Sequence, residues 1–570
     1  MTTSKQFQID PSIDPADFNV ITGAFKSVAQ EMQDIMLRSA YSSIVREAKD
    51  CSTCVMDANA RTVAQAEAIP MHMNSLAAAV PAIRARYDLN DLSPNDAFIT
   101  NNPYDNGQHL NDIIFILPVF HKDRLVAFTG TICHHLEVGG AVAGSNANAT
   151  DLYQEGLILP TMKIDVERDL DDGPVERIIS ANVRLPNIVI GDFHAQISAA
   201  MRGRGLICEL IERHGLGLIW SCMSALQDYS ENMLRATIAK LPDGEYFGED
   251  TLDSQLLNGP QPIIRARVVI DGDSAMIDMS ESDDQVSWPI NDPVASTHSA
   301  VLTVFGQLAG SGVPTNDGIY RPIKIKTRKG SVLDPHHPAP VRGRMSSAYR
   351  TATSVKRALA GAAPEMFSAA GNDTTNTVTM SCRDETSSGS DLEMFAEIIM
   401  GGNGAGPNND GAEVVAQMLS NTGNTPAEAI EMDQNFVRVI DYVLIPDSGG
   451  AGRQRGGLGV RRSYDILKDN VLITTNSDRH ESSPWGLAGG LDAGRTTFTV
   501  YRDNQEIRVP GASNIECRKG DRFVIEITGG GGYGDPKDRD RDAVRDDVRC
   551  GRITELAAIE IYGLESLAAE

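Results

Sequence analysis

The sequence predicts a mixed α/β (α+β) fold: N-terminal helices and antiparallel strands, then a strand- and turn-rich, glycine-dense C-terminal half. Three observations carry this. Phe18, Ile21, Phe25, Val28, Met32 and Met36 recur at three- and four-residue steps, the period of an amphipathic helix. Strands over 113–120 and 125–133 are joined by only HKDR, residues 121–124, a connection that suits antiparallel neighbours. Glycine then becomes dense in GGNGAGPNNDG, DSGGAGRQRGGLG, GLAGGLDAG and TGGGGYGD, without a fixed period. That suits tight turns and close backbone approaches rather than collagen or a linker.

Taken in order, Asp14 and Pro15 mark the start of the first helix. A weaker β-type run covers 157–164. A second helical pattern follows Asp192, with Phe193, Ile197, Met201, Cys208 and Ile211 on its apolar side. The middle, about 240–380, alternates short strands with turns, as in PIIRARVVIDGDSAMIDMS, and the tail, KDRDRDAVRDDVRCGRITELAAIEIYGL, is charged and then helical. The expected organisation is a region over 1–240, a strand-rich middle over 241–380 and a glycine-rich region over 381–570. No internal repeat interrupts it.

The bulk numbers exclude several functions. The chain has 570 residues, of which 41% are hydrophobic and 22% charged, an ordinary globular balance. Asp and Glu number 77 against 51 Lys and Arg, a net charge of −26. Such a surface repels phosphate backbones and anionic lipid, so neither nucleic acid nor a membrane is an expected partner. No apolar stretch is long enough to span a bilayer, and MTTSKQFQIDPSIDPADF lacks the apolar core of a signal peptide. The eight cysteines include one CxxC, Cys51 and Cys54, with no second pair at zinc-site spacing. Reduced cysteines in a cytoplasmic protein are the expectation.

Chemistry concentrates at NNPYDNGQHLNDIIFILPVF, residues 101–120. Its first half is a loop with Asp105, His109 and Asp112; its second half is a core strand. Centring the turn between Lys122 and Asp123 places Asp112 opposite Cys133 and His134 opposite Asn111. His134 then emerges beside Asp112, and His109 folds back toward both. Two imidazoles and a carboxylate suit zinc, iron or manganese. His109 and Asp112 equally suit Asx-type bonds to loop backbone, and spacing alone leaves both readings open. A fourth ligand could come from REAKDCS, which carries Glu47 and Asp50; a solvated helix end with a Glu–Lys pairing fits the same residues.

Several longer stretches make the chain recognisable. NNPYDNGQHLND, CHHLEVGG, ATDLYQEGLILP, RLPNIVIGDFHAQ, TNDGIYRPIKI, SNTGNTPAEAIE, PDSGGAGRQRGGLGVRRSY, PWGLAGG and TGGGGYGDP resemble the hydantoinase B/oxoprolinase family across nearly the whole chain. That family also includes the metal-bearing large subunits of acetone and acetophenone carboxylases and of caprolactamase. The resemblance implies that His109, Asp112 and His134 are metal ligands and that Asp50 is the fourth, with Glu47 the runner-up. His72, in IPMHMNS, is implied as a pocket residue. The sequence departs from the family at Glu137, where Asp is usual, and at Asn106 and Asn111, where Gly and Pro are usual.

The resemblance further implies a division of labour. A partner subunit of hydantoinase A type uses ATP to phosphorylate the carbonyl oxygen of a hydantoin, N-methylhydantoin, 5-oxoproline or lactam. Metal-bound water on this chain then opens the ring, with Glu47 a candidate base and Glu137 a candidate for orienting a histidine ligand. The sequence agrees in lacking GxxxxGK[ST], and its glycine-rich runs lack the strand-then-helix setting of a phosphate cradle. The competing reading is a subunit of an ATP-dependent ketone carboxylase. The metal motif serves both; the length resembles the hydrolase branch.

Overall fold

The structure is a computed structural model that describes residues 13–72, 75–144, 146–254, 259–310, 312–383 and 392–565. Its mixed architecture contains four sheets. The first is built from β1 (Cys51–Asp57), β2 (Thr62–Gln65), β3 (Asp96–Thr100), β4 (Asp112–His121), β5 (Arg124–His134) and β6 (Met162–Asp165), in the order β2-β1-β5-β4-β3-β6. Every neighbouring pair is antiparallel.

The long apolar runs of β4 and β5 follow from burial on both faces. Ile113, Phe115 and Leu117 pack with Phe193 and Ile197 of the helix Pro186–His214. Ile114 and Ile116, pointing the other way, pack with Leu76, Ala79 and Ile83 of the helix Ser75–Arg86. The period of two is present, but each face is covered, so the strand reads as continuous apolar sequence. Cys51 and Cys54 fall into separate clusters on β1, and all eight cysteines are free thiols.

The helix expected from Phe18 to Met36 spans Pro15–Ser39, and the Asp14 side chain accepts a hydrogen bond from Ala16 N at 2.7 Å as its N-cap. It crosses Pro186–His214 closely: a Cβ at Gly203 would stand 2.3 Å from Met32 Sδ. That second helix starts at Pro186, earlier than the pattern from Phe193 suggested.

The middle of the chain departs from a strand-and-turn reading. A second sheet is present, formed by β7 (Gly244–Thr251), β8 (Ile263–Asp271), β9 (Ser274–Asp278) and β10 (Ile323–Lys326). Two helices pack with it, Val294–Ala309 and Arg344–Ala362. The second is buried on nearly all sides yet carries Arg344, Ser346, Ser347, Arg350, Thr351, Thr353 and Ser354 inward. Ala348, Ala352, Val355 and Leu359 recur along it at three- and four-residue steps, a helical period diluted in the sequence by the buried polar residues between them.

The last third is two sheets face to face. One orders Leu392–Ile399 (β12), Asn376–Arg383 (β11), Val471–Asn476 (β15) and Ser513–Cys517 (β18). The other orders Val437–Leu444 (β13), Val460–Ile466 (β14), Arg522–Ile527 (β19), Thr497–Arg502 (β16) and Gln505–Val509 (β17). Val378, Phe395, Tyr464, Phe498 and Phe523 fill the space between them. The glycine-rich loops serve close approach: a Cβ at Gly456 would overlap the carbonyl of Gly530, and one at Gly530 that of Asn403. No side chain fits where backbone meets backbone.

Candidate metal centre

The centre lies at one end of the first sheet. Asp112 opens β4 and His134 closes β5. The connection is a two-residue turn, with Lys122 at φ 50 and Asp123 at φ 59, the left-handed pair that matches strand twist. His121 pairs with Arg124 and Phe120 with Leu125, but a bulge then shifts the register, so Val119 pairs with Ala127. Asp112 therefore stands opposite His134 rather than opposite Cys133 as the unbulged count has it.

The loop before β4 is fixed by its own polar residues. Asn101 donates through Nδ2 to Leu110 O at 2.8 Å and to Leu157 O at 2.9 Å, and its Oδ1 accepts from Leu159 N at 2.7 Å. Asn106 adopts φ 69, and a Cβ at Gly107 would lie 2.6 Å from Asn102 O, so the chain folds tightly back before His109. Asp112 N donates to His109 O at 2.9 Å. Asp50, just before β1, joins the same sheet end, its carbonyl accepting from His134 N at 3.0 Å.

Three donor atoms converge in a nearly equilateral triangle. His109 Nε2 and His134 Nδ1 are 3.1 Å apart, His109 Nε2 and Asp112 Oδ1 3.2 Å, and His134 Nδ1 and Asp112 Oδ1 3.3 Å. Metal–ligand bonds of about 2.0–2.2 Å imply neighbouring ligands roughly 3.0–3.5 Å apart, so the triangle fits a divalent ion. Asp112 Oδ1 and His109 Nδ1 are buried without a hydrogen-bond partner. An orphaned carboxylate oxygen between two imidazoles fits a divalent cation.

Protonation states agree with ligation. Burial and the Arg344 charge push His109 down to about 3, keeping the imidazole neutral. Burial works to raise Asp112, but His109 and Arg344 outweigh it and hold the carboxyl well below its ordinary range. Arg344, at the start of Arg344–Ala362, places Nη2 2.6 Å from Asp112 Oδ2. Its Nε donates to Gln108 Oε1 at 2.9 Å, and Gln108 Nε2 donates to Ser75 Oγ. Arg344 and Gln108 thus fix the rotamer of Asp112 and leave Oδ1 for the site. Neither was a sequence candidate: Arg344 stands 232 residues from Asp112, and no spacing marks it.

The other candidates divide. Asp50 is at the margin, its carboxylate 3.9 Å from His134 Nδ1 and 4.0 Å from His72 Nε2. His72, on the turn Pro70–His72, points Nε2 to within 3.7 Å of Asp112 Oδ2, with Ser52 Oγ 3.1 Å from its Nδ1. Both line one cavity with the triad. The two glutamates do not join them. Glu47, expected as runner-up ligand or base, pairs with Arg46 at 2.9 Å and does not line that cavity. Glu137, expected to orient a histidine, is fully buried but accepts instead from Gly139 N at 2.7 Å, Arg184 N at 2.6 Å and Arg184 Nη1 at 2.7 Å. No imidazole is among the partners of that carboxylate.

Opposite the triad, the outer face of β11 and β12 closes the cavity. Thr377 and Thr379 line it while Val378 points into the sandwich, and Ala396 and Ile398 line it while Phe395 points away. The cavity has a volume of about 60 Å³.

Fold and donor set together define a mixed α/β protein with a candidate divalent-metal centre at a sheet end. The chain belongs to the hydantoinase B/oxoprolinase family, whose model matches residues 14–536. It is 32% identical over 97% of its length, and 95% of the relative's, to a protein of Pseudomonas sp. (strain NS671) assigned provisionally as the B component of a D-/L-hydantoinase. Its structure superposes on that of the ATP-dependent caprolactamase of Pseudomonas jessenii with a TM-score of 0.89 and 27% identity, covering 97% of this chain and 96% of that one. An acetone carboxylase structure matches with a TM-score of 0.88 over 96% of this chain and 79% of that one; at 19% identity the likeness is one of fold. No helix among the described residues is long and apolar enough to cross a membrane.

Proposed function

We propose that this chain is the metal-bearing subunit of a cytoplasmic, ATP-dependent cyclic amidohydrolase acting on a hydantoin, 5-oxoproline or lactam. A hydantoinase A-type partner phosphorylates the carbonyl oxygen, and water opens the activated ring here. The observation that carries the reading is the orphaned Asp112 Oδ1 facing His109 and His134 across 3.2 and 3.3 Å. Family membership supports the substrate class.

His109, Asp112 and His134 hold zinc, manganese or iron, with Asp50 positioned to complete the set. Such an ion supplies Lewis acidity and makes water nucleophilic near neutral pH. The chain's own residues do the rest. Arg344 keeps Asp112 ionised, burial keeps His109 neutral, and Ile398, Ile44 and Leu136 exclude bulk water from one side of the cavity. His72 Nε2 lies within proton-transfer distance of a molecule seated between Asp50 and Asp112.

The reading is tested by separating the subunits. The chain alone is expected to release no phosphate from ATP, and the complex with its partner to open a cyclic amide only when ATP is supplied. ATP turnover by the purified chain free of partner, or ring opening without ATP, would contradict it.

A further inference from the structure

Among the described residues, Arg342 is a buried charge that the metal centre does not use. It is 8% exposed and lines the cavity that holds the metal triad. Among the described residues its side chain makes no hydrogen bond or ion pair, and Nη1 is buried without a partner. Arg344, two positions on, is spent on Asp112 and Gln108; Arg342 is spent on nothing.

Among the described residues, Glu155 is the carboxylate whose field reaches Arg342, and it bonds backbone rather than the guanidinium. Glu155 Oε1 accepts from the backbone N–H of Val341 at 2.8 Å and of Arg342 at 2.9 Å. Burial, opposed by those two hydrogen bonds and by the Arg342 and Arg344 charges, pushes Glu155 up to about 8. A buried guanidinium with no hydrogen-bonded partner is costly to hold, and one retained in a cavity wall suits an anion that arrives from outside.

The surroundings agree. Arg342 stands just before Gly343, the N-cap of Arg344–Ala362, a helix of 19 residues whose positive end is directed at the cavity through Arg344 and Met345. Thr377 and Asn476, paired directly opposite one another on β11 and β15, line the same cavity with neutral polar groups, and Asn476 lies against the helix start, where a Cβ at Gly343 would stand 2.6 Å from its Oδ1. A planar fork, a helix N-terminus and neutral hydrogen-bonding side chains form the usual setting for a tetrahedral oxyanion.

We propose that Arg342 is the anion-binding residue of this cavity and holds the phosphoryl oxygens of the activated substrate beside the metal centre. The proposal rests on the amidohydrolase reading for the origin of the phosphoryl group, though its test requires neither ATP nor turnover. It assigns the cavity two recognition elements: donor atoms for a divalent ion on the first sheet, and a guanidinium for the phosphoryl oxygens at the helix start. It also predicts selectivity for the phosphorylated form, because an unmodified neutral lactam leaves Arg342 uncompensated.

The experiment is titration calorimetry of inorganic phosphate, and separately of acetate, into the metal-loaded full-length chain and its Arg342→Gln and Arg342→Lys variants. Metal content is measured on each sample, so that direct binding of phosphate to the ion is held constant. Wild type is expected to bind phosphate and to bind acetate about tenfold more weakly or worse. Arg342→Gln should lose roughly tenfold or more in phosphate affinity with metal content unchanged. If Arg342→Gln fails to fold, Arg342→Lys carries the test: it keeps the charge, loses the two-pronged fork and should weaken phosphate severalfold. Phosphate affinity unchanged in the folded variant, no phosphate binding by wild type, or acetate bound as tightly as phosphate overturns the assignment. A failure of the amidohydrolase reading appears in turnover; a failure of this one appears in the titration.

Discussion

Replacing Asp112 with asparagine is expected to abolish ring opening while leaving ATP hydrolysis by the partner subunit running. The substitution keeps the side-chain size and removes the charge that faces His109 and His134 at 3.2 and 3.3 Å. It also leaves the Arg344 guanidinium, 2.6 Å away, without its buried counter-charge. The ion should be held 10–100-fold more weakly or lost. In the proposed division of labour phosphorylation takes place on the other subunit, so phosphate release should persist uncoupled from product. Chromatography of the opened amide and a phosphate assay on the same sample read both. Ring opening at the wild-type rate in Asp112→Asn contradicts the account. Product that forms only with bicarbonate and gains a carboxylate assigns the chain to ketone carboxylation instead.

The second large effect is expected at a residue that touches no metal. Arg344→Met removes the cation that, with His109, holds the Asp112 carboxyl low. Removing one partner of a buried pair costs roughly 3–5 kcal/mol, so metal-free Arg344→Met should unfold at distinctly lower denaturant than metal-free wild type. The pH dependence has a definite sign. A depressed carboxylate contributes stability that is present above its unfolded pKa and lost as pH falls below it. Without Arg344 the His109 part of that contribution remains but the Arg344 part is lost, and Asp112 takes up a proton at higher pH. His109, pushed down partly by the same guanidinium, also becomes easier to protonate. Both changes set protons against the ion, so the variant should release metal at a milder acid pH than wild type. Release at the same pH would show that Arg344 does not tune the ligands.

What the sequence made legible follows from locality. The hairpin was readable because both strands are apolar throughout and the turn is two residues long. Its register was miscounted by one because a bulge near Leu125 is silent in composition, and that single residue sets His134 directly across from Asp112. His109, Asp112 and His134 were readable because they sit at or near the ends of those two strands. Arg344, Gln108 and Arg342 were not, since their surroundings depend on where the helix Arg344–Ala362 packs, 232 residues along the chain from Asp112, and no local pattern encodes that. Glu47 and Glu137 show the opposite error. Each occupies a recognisable motif position, yet Arg46 and Arg184 claim their carboxylates, and only coordinates reveal that.

The central claim is a single divalent ion held by His109, Asp112 and His134. Elemental analysis of the purified chain beside its His109→Ala variant tests it most directly. Close to one equivalent of zinc, manganese or iron per wild-type chain is expected, with loss of most of it in the variant and the rest of the fold intact by circular dichroism. Wild-type protein free of metal after purification without chelators, or a folded His109→Ala variant that keeps a full equivalent, would contradict it.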